Sequence, residues 1–399
     1  MGKDKWRKPF WFATLAILGL GVPGLPQDRN GDACDLETTE RVVAVADVHG
    51  AYDRFIAILR TAGLIDGRQR WSGGRAVFVQ AGDVLDRGPD SRKAMDLIRR
   101  LADEAARAGG RVHALLGNHE VMRMVGDLRY VSSGEYAAFR SNESEALRDR
   151  YYSVALNEAA SAATSRGQKL DERTFRSGFL DRTPLGSVEM QLAFGPKGEY
   201  GRWLRERDTM VRINGVVFVH GGISPAVAAM GCPKVNASVR SELDPRAGGF
   251  DPQRVATLLA TSEDGPLWYR GLAEKDETAF LPGVEEMLRQ LNARAIVTGH
   301  TVAADGRVKS RFGGRVIQID TGMLDGTFYP AGRPSALEIL DGHFAAIYED
   351  KREPLTVPQR VGPAQDGQAA SRVVQPYFAS AFFAVPSVAR AADRIPDKP

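Results

Sequence analysis

The stretch Gly82-Asp83-Val84-Leu85-Asp86-Arg87-Gly88 follows a short apolar run, residues 76–80, whose pattern predicts a buried strand. Its glycines allow the backbone to turn sharply where that strand ends, and the turn carries two carboxylates and a guanidinium. One such loop is weak evidence, because an Asp-Arg-Gly sequence usually forms a surface ion pair and a turn. Its meaning therefore depends on the loops that accompany it.

Four other loops with metal-binding residue types also follow predicted strands. They are Asp47-Val48-His49-Gly50, Gly117-Asn118-His119-Glu120, Val219-His220-Gly221-Gly222 and Gly299-His300-Thr301. Each alone is more often a turn or a helix cap than a metal site. The chain has only six histidines, however, and these loops contain His49, His119, His220 and His300. Five such loops at strand ends indicate one shared site.

Strands and helices alternate from Arg41 onward. Apolar runs predict strands at residues 41–46, 76–80, 111–116, 216–219 and 295–298, and helical spacing predicts helices at 52–62, 91–108, 251–259 and 283–291. This alternation predicts an α/β fold with a mostly parallel central sheet and its functional site at the carboxyl ends of the strands. Residues 315–320, 335–340 and 343–348 are predicted to form a terminal antiparallel meander.

Changes in composition divide the chain into segments. The central domain is expected to span residues 38–350. Residues 129–210, rich in Ala, Glu, Arg and Ser, interrupt the α/β pattern and are predicted to form an inserted helical cap that could cover the site. A purely structural helical insertion is the alternative. Residues 351–399, rich in Pro, Gln, Ala and Ser, are predicted to be a disordered tail.

Residues 1–30 resemble an export signal. Lys3, Lys5, Arg7 and Lys8 precede an apolar run over residues 10–22, which is shorter than the roughly 20 residues of a membrane span. No clear cleavage site follows, so an uncleaved N-terminal membrane anchor stays open. We expect an exported, periplasmic or secreted protein; a cytoplasmic protein with a buried N-terminal helix is the alternative.

Charge and cysteine content exclude some classes of partner and site. A formal net charge of +3 over 399 residues gives no reason to expect a nucleic-acid partner. The two cysteines, Cys34 and Cys232, lack the spacing of a cysteine metal site. In an exported chain they could form a disulfide, and two unpaired cysteines are an equal alternative.

The residue types in the five loops suit divalent ions such as Mn²⁺, Fe²⁺ or Zn²⁺. Asp47 and His49, two apart at one strand end, can bind a single ion, and Asp83 on a neighbouring strand can bridge to a second. The remaining ligands of that second ion would be Asn118, His220 and His300. Two ions roughly 3.5–4 Å apart can hold a phosphate, lower the pKa of a bridging water and stabilise in-line displacement.

Phosphate chemistry also requires an acid for the leaving group and cations for the phosphoryl oxygens. His119 follows the ligand Asn118 directly and is the candidate general acid, with Asp86 orienting its ring. Arg87 is the leading phosphate-binding residue, because a guanidinium can bind phosphate oxygens with two parallel hydrogen bonds. Arg270 is a second candidate.

The five motifs together resemble those of the calcineurin-like metallophosphoesterases. The Asp-Arg-Gly and Asn-His-Glu sequences are similar to the phosphoprotein phosphatase branch, and residues 118–131 resemble the bacterial-type Shewanella-like protein phosphatases. The resemblance implies a four-layer α/β/β/α metallophosphoesterase sandwich, a centre of two divalent metal ions and hydrolysis of phosphomonoesters. It implies the same roles for nine of the residues named above, all except Arg270.

The first hypothesis is a metal-dependent protein phosphatase that acts on phosphoserine, phosphothreonine or phosphotyrosine, with a phosphoprotein or a small phosphoester as the substrate. Ala46 and Ala51 replace glycines that are common in the family, which leaves the ligands intact. The Ser-Ala-Pro-Asn-Tyr segment of the eukaryotic enzymes has no counterpart here, and this absence brings phosphotyrosine into consideration. A nucleotide hydrolase of the dinucleoside tetraphosphatase type, a phosphodiesterase and a non-catalytic binding module are the competing hypotheses.

Overall fold

The computed structural model describes residues 34–324, 326 and 328–358. Its strands are β1 (Asp35–Leu36), β2 (Val42–Val45), β3 (Val77–Gln80), β4 (Arg111–Ala114), β5 (Met210–Ile213), β6 (Val216–Val219), β7 (Ala295–Thr298), β8 (Lys309–Arg311), β9 (Val316–Gln318), β10 (Ser335–Leu340), β11 (His343–Tyr348) and β12 (Arg352–Leu355). They form two sheets of six strands over this part of the chain, in the orders β1-β5-β6-β7-β9-β8 and β12-β11-β10-β2-β3-β4.

The helices lie between these strands along the chain. They are α1 (Tyr52–Thr61), α2 (Ser91–Arg107), α3 (Asn118–Val125), α4 (Ser133–Ala138), α5 (Ser144–Ser165), α6 (Glu172–Arg182), α7 (Ser187–Phe194), α8 (Glu199–Arg205), α9 (Pro225–Met230), α10 (Cys232–Glu242), α11 (Pro252–Val255), α12 (Gly271–Glu274) and α13 (Glu277–Gln290). Short 3₁₀ turns occur at Pro245–Ala247 and Leu259–Thr261.

Alternate residues of each strand enter different apolar layers, which explains why the strands are apolar on both faces. In β2, Val42 and Ala44 belong to the cluster between the two sheets, whereas Val43 and Val45 pack with α1 and α2. In β6, Val216 faces the other sheet and Val217 packs among α9, α10 and α13. The layers are therefore helices, sheet, sheet and helices, which confirms the four-layer α/β/β/α class.

Two predictions about the sheets differ from the structure. The mostly parallel central sheet expected from the alternation of strands and helices is instead two mixed sheets. The pairs within β2-β3-β4 and β6-β7-β9 and the pair β1-β5 are parallel, and the remaining pairs are antiparallel. The expected terminal meander forms only in part: β10 and β11 pair antiparallel in the second sheet, whereas β9 pairs parallel with β7 in the first. Alternation along a strand does not reveal its partner, so sequence proximity was misleading here.

The structure also differs from the predicted start of the tail and from one predicted helix. The predicted tail begins at Lys351, but Arg352–Leu355 form β12, an edge strand that pairs antiparallel with β11. Charged residues and Pro354 hid this strand, and both are common at sheet edges. The helix predicted at residues 251–259 is only the short α11 followed by a 3₁₀ turn. Residues 1–30 and 359–399, with their predicted signal and tail, lie outside the described residues.

Helices α4–α8 occupy the stretch predicted as an inserted cap. They lie in sequence between α3 and β5, and α4 contacts α2 while α5 contacts α6 and α7. Tyr152 of α5 packs against Phe175 and Phe179 of α6. The insertion is thus helical and internally packed, whereas its role as a roof over the site stays a prediction.

The two cysteines are joined, which decides between the alternatives left open by the sequence. Cys34, just before β1, forms a disulfide with Cys232 at the start of α10, with a Cα–Cα distance of 6.0 Å. Within the described residues, no helix is both long and apolar enough to cross a membrane.

Candidate active site

The five loops meet where the carboxyl ends of strands from both sheets come together. The loops after β2 and β3 are joined by a hydrogen bond from the His49 amide to the Asp83 carbonyl, 3.0 Å long. Contacts between the sheets complete the arrangement: the His300 amide donates to Asp47 Oδ1 at 3.0 Å, and His220 Nδ1 lies 2.9 Å from the Ala81 carbonyl. The predicted convergence of the loops is confirmed.

Glycines allow this close approach. Gly82 has φ +89°, a left-handed conformation that side-chain-bearing residues rarely adopt. A Cβ on Gly117 would lie only 2.2 Å from Asp83 Oδ1. Asp83, Asp86 and Arg87 themselves have φ values of 56°, 70° and 68°, so the loop after β3 keeps three functional side chains in a costly backbone conformation.

The first predicted ion site comprises Asp47, His49 and Asp83, all buried. His49 Nε2 lies 3.7 Å from a carboxylate oxygen of each aspartate. Its Nδ1 is 2.8 Å from the Leu85 carbonyl, which can only accept, so Nδ1 carries the proton and Nε2 is free to act as a ligand. Burial lowers the pKa of His49 to about 3, which keeps the ring neutral, as metal binding requires.

The second predicted ion site comprises Asp83, Asn118, His220 and His300. His220 Nε2 lies 2.8 Å from Asn118 Oδ1 and 3.2 Å from Asp83 Oδ2. His300 Nε2 is buried and has no hydrogen-bond partner among the described residues, although buried ring nitrogens normally have one. The nitrogen and oxygen atoms of Asp83, His220 and His300 that could bind a metal lie within 4.8 Å of one another.

The electrostatics of this cluster favour a bound cation. Burial lowers the pKa of His220, but the nearby Asp83 and Asp47 outweigh it and raise this pKa to about 10. Burial, together with the charge of Asp320, holds the pKa of Asp47 well above its usual value. Buried carboxylates that stabilise the protonated form of a neighbouring histidine carry negative charge that no other nearby group compensates. Divalent ions would supply it, so these residues fit the predicted pair of metals.

His119 and Asp86 form a buried pair beside this cluster. His119 Nδ1 lies 2.7 Å from Asp86 Oδ2, and its Nε2 points toward the ions' site, 3.8 Å from Asp83 Oδ2. Burial lowers the pKa of His119, but the charges of Asp83 and Asp86 outweigh it, and this pKa is raised overall. A protonated imidazole is the form that a general acid requires.

The two predicted phosphate-binding arginines have different surroundings. The Arg87 guanidinium carbon lies 5.7 Å from the ring centroids of both Tyr130 and Tyr329, so it is flanked by two aromatic rings. The ring of Tyr130 is also 5.1 Å from that of His119. Arg270 is exposed and donates to the His300 carbonyl at 3.2 Å and to Thr301 Oγ1 at 3.0 Å, so it supports the loop of His300.

Several residues that shape the site were not predicted from the sequence. Glu120, noted only as part of a motif, accepts hydrogen bonds from the amides of Asp83 and Gly117 at 2.8 Å and of Val84 at 2.9 Å. Asp320 is a further buried carboxylate next to Asp47. Its signal, an aspartate at the end of a predicted strand, was present, but that strand was assigned to the wrong sheet.

The family assignment rests on a match that extends over most of the folded region. Residues 40–304, which contain all five loops, match the family described as calcineurin-like phosphoesterase. The chain belongs to this family. The phosphoesterase is therefore a hydrolase of phosphoric ester bonds, and its buried histidine and aspartate groups are in keeping with the divalent metals such enzymes use.

Relatives of this phosphoesterase include named protein phosphatases. It is 28% identical over 359 residues to Shewanella-like protein phosphatase 2 of Arabidopsis thaliana, covering 82% of each chain. It is 25% identical to Shewanella-like protein phosphatase 1 of Plasmodium berghei, covering 86% of this chain and 82% of the other. The suspected Shewanella-like phosphatase group is thereby supported.

A solved structure has the same fold. The cold-active protein-tyrosine phosphatase of a psychrophilic Shewanella species matches with a TM-score of 0.59 and 28% sequence identity, over 81% of this chain and 82% of that chain. These relatives favour a phosphatase over the nucleotide hydrolase and the binding module considered from the sequence.

Proposed function

We propose that this phosphoesterase is a metal-dependent protein phosphatase that prefers phosphotyrosine. The observation that carries the proposal is Arg87 between the rings of Tyr130 and Tyr329, beside the buried pair of His119 and Asp86. The solved relative described as a protein-tyrosine phosphatase supports the same preference.

The metal ions would be bound by the residues predicted from the sequence. Asp47, His49 and Asp83 would bind one ion, and Asp83, Asn118, His220 and His300 the other, with manganese, iron or zinc as the candidates because the set contains no thiolate. Bound divalent ions would polarise the phosphoryl oxygens and activate water for in-line displacement.

The chain's own residues would do the rest. Arg87, half-buried and held between two rings, binds the phosphoryl oxygens with its planar guanidinium. His119 donates its Nε2 proton to the leaving oxygen, while Asp86 holds the other ring nitrogen and so fixes the orientation of the imidazole.

The preference for an aryl ester follows from the aromatic residues around the arginine. Tyr130 is 43% exposed although its ring lies against His119 and Arg87, and Phe328, next to Tyr329, is 49% exposed. An entering phenol ring can pack against exposed aromatic faces, a contact worth about 0.5–1.5 kcal/mol for each ring pair. The side chain of phosphoserine or phosphothreonine offers no such surface.

The test is a panel of substrates presented to the metal-loaded protein: phosphotyrosine and phosphothreonine peptides, a dinucleoside tetraphosphate and a phosphodiester. We expect the highest kcat/KM with the phosphotyrosine peptide. In Tyr130→Ala, the ratio of kcat/KM for the phosphotyrosine peptide to kcat/KM for the phosphothreonine peptide should fall roughly tenfold, as expected for the loss of about one aromatic contact. Hydrolysis of the dinucleotide alone would contradict the proposal, and no turnover at all would favour a binding module.

We also propose that the chain is exported. The basic residues and apolar run within residues 1–30 support this, and so does the disulfide between Cys34 and Cys232, since disulfides persist mainly in oxidising compartments. Fusing residues 1–30 to a reporter that is active only outside the cytoplasm tests it. An inactive reporter would contradict export, and fractionation of the active fusion would distinguish a membrane-anchored from a released protein.

A further inference from the structure

Asp86 makes hydrogen bonds with two residues besides His119, namely Arg123 and Glu135. Its second oxygen, Oδ1, accepts a hydrogen bond from Arg123 Nη2, and its backbone amide donates to Glu135 Oε1 at 3.2 Å. Arg123 Nη2 also donates to Glu135 Oε2 at 3.0 Å. Arg123 and Glu135 thus form a closed set of contacts around both the side chain and the backbone of Asp86.

This set is buried and tightly packed. The side chain of Arg123 is only 1% exposed, and those of Asp86 and Glu135 are 1% and 2% exposed. The guanidinium of Arg123 lies 4.9 Å from the ring centroid of Phe194, and its Nη1 is 3.1 Å from the sulfur of Met190. A guanidinium enclosed in this way has little freedom to reorient, so it fixes the carboxylate that it binds.

The residues that enclose Arg123 belong to the helical insertion. Glu135 lies in α4, and Met190 and Phe194 lie in α7. Arg123 itself lies in α3, the helix that begins with Asn118 and His119. The insertion therefore reaches His119 through a continuous chain of contacts: α7 packs on Arg123, α4 supplies Glu135, and both residues contact Asp86.

We propose that the helical insertion positions the general acid. In this arrangement Arg123 and Glu135 are positioning residues that keep Asp86, and through it the ring of His119, in the orientation required for proton donation. This inference rests on the proposed function, in which His119 is the acid. It gives the insertion a part in the chemical step that is independent of any role as a roof over the substrate.

The test uses the acidity of the leaving group. A general acid matters most when the leaving oxygen is strongly basic. Its loss therefore slows the hydrolysis of phenyl phosphate more than that of p-nitrophenyl phosphate, because p-nitrophenolate is less basic and leaves without a proton. We expect Glu135→Gln to lower kcat on phenyl phosphate roughly tenfold, a fraction of the 10²–10⁴-fold that a general acid contributes, and to lower it less on p-nitrophenyl phosphate. KM should stay unchanged.

A matched control is available within the insertion. Glu189 of α7 is also partly enclosed, but it accepts hydrogen bonds from Ser141 and Ser144 and has no contact with Asp86 among those observed. Glu189→Gln should therefore leave kcat on both substrates unchanged. A loss equal to that of Glu135→Gln would mean that any disturbance of the insertion suffices, which would overturn the specific role of Glu135.

Two further variants separate the possible failures. His119→Asn should lower kcat much more on phenyl phosphate than on p-nitrophenyl phosphate, which is the full dependence on the leaving group. If it lowers kcat on both substrates equally, the proposed acid role is wrong. If His119→Asn shows the dependence but Glu135→Gln does not, the positioning inference is wrong. Arg123→Lys keeps the buried charge but loses the planar fork, and it should reproduce the effect of Glu135→Gln with metal content and circular dichroism unchanged. A fully active Arg123→Lys would contradict the inference.

Discussion

Asp83 is fixed by its backbone as well as by its carboxylate. Glu120 accepts its amide hydrogen at 2.8 Å, while Asp83 Oδ1 accepts the amide hydrogen of His119 at 3.0 Å. The other oxygen, Oδ2, lies 3.2 Å from His220 and 3.7 Å from His49. This residue therefore faces both predicted ion sites, as its position at the end of a central strand indicated.

The first prediction concerns this shared position. Asp83→Asn should bind fewer metal ions per chain and lose activity by roughly 100-fold or more, since even residues that only support metal ligands contribute about 10–100-fold. Metal content measured by mass spectrometry and kcat/KM test this. Asp305→Asn, at an exposed aspartate paired with Lys309, is the control. Full metal content in Asp83→Asn would show that Asp83 is not a required ligand.

The second prediction concerns His113 of β4, which lies outside the five loops of the site. Burial, helped by the charges of Arg111 and Arg207, lowers the pKa of His113 from 6.5 to about 4. Between these values the unfolded chain binds more protons than the folded one, so the free energy of unfolding falls as the pH drops from 6.5 to 4. The contribution is about 3 kcal/mol over that range.

Replacing the imidazole with a ring that does not titrate isolates this effect. His113→Phe should have a flatter dependence of stability on pH than the wild-type protein between pH 6.5 and 5, measured by denaturant unfolding at fixed metal concentration. The difference in the free energy of unfolding between the two proteins should then change with pH. A constant difference would contradict a depressed pKa for His113.

At the scale of single residues, sequence patterns were sufficient for side chains at strand ends. Asp47, Asp83 and His220 could be grouped because the carboxyl ends of neighbouring strands share one edge. Arg123 and Glu135 could not be found in this way, because they reach Asp86 from two helices whose packing is not encoded in any local pattern. Residues that act through tertiary contacts require the structure.

At the scale of elements, the site depends on loops that approach one another too closely for side chains. The Cβ of an alanine at position 117 would lie 2.2 Å from Asp83 Oδ1 and 2.8 Å from Glu120 Oε2. Both atoms belong to residues that hold the loop after β3 in place. The start of α3 and the end of β3 are thus in direct contact, and neither can move without the other.

The third prediction follows from this contact. Gly117→Ala should displace the Asp83 carboxylate and lower metal affinity by about 10–100-fold, the range seen when the surroundings of a metal ligand are disturbed. Isothermal titration with Mn²⁺ measures this. The control is Gly67→Ala, because a Cβ at Gly67 meets no atom within 4 Å. Equal Mn²⁺ affinity in Gly117→Ala and the wild-type protein would contradict the account.

The elements that sequence predicted best were those with a strong local signal. Helix α2 was expected at residues 91–108 and spans Ser91–Arg107, because its apolar residues repeat at helical spacing and Gly109 and Gly110 follow. Strand β12 was not predicted, and the predicted partner of β9 was wrong, because strand pairing is decided by contacts between distant segments. Local periodicity determines an element, but not its neighbour.

At the scale of the whole molecule, the disulfide joins two segments beside the first sheet that are far apart in sequence. Cys34 precedes the edge strand β1 and Cys232 begins α10, and the two cysteines are 198 positions apart in sequence. Asn236 of α10 lies beside the bond and accepts the amide hydrogens of Thr209 and Met210 at 2.9 and 3.0 Å. The link therefore secures β1, α10 and β5 to one another.

The fourth prediction is that this link stabilises the fold. The double variant Cys34→Ala, Cys232→Ala should lose about 2–5 kcal/mol in the free energy of unfolding, because a disulfide that closes a long loop restricts the unfolded chain. Denaturant unfolding under oxidising conditions measures the loss, and a reducing agent should remove the difference between the variant and the wild-type protein. Equal stability under oxidising conditions would contradict this role.

The proposed function requires catalysis by two metal ions in one site. The most direct measurement is the turnover of a phosphotyrosine peptide by metal-stripped protein as Mn²⁺ is added, with bound ions counted in parallel. We predict negligible turnover without metal and a rise that is complete only at two ions per chain, because Asp83 faces both ion sites. Full activity at one ion per chain, or in the stripped protein, would contradict the dinuclear site.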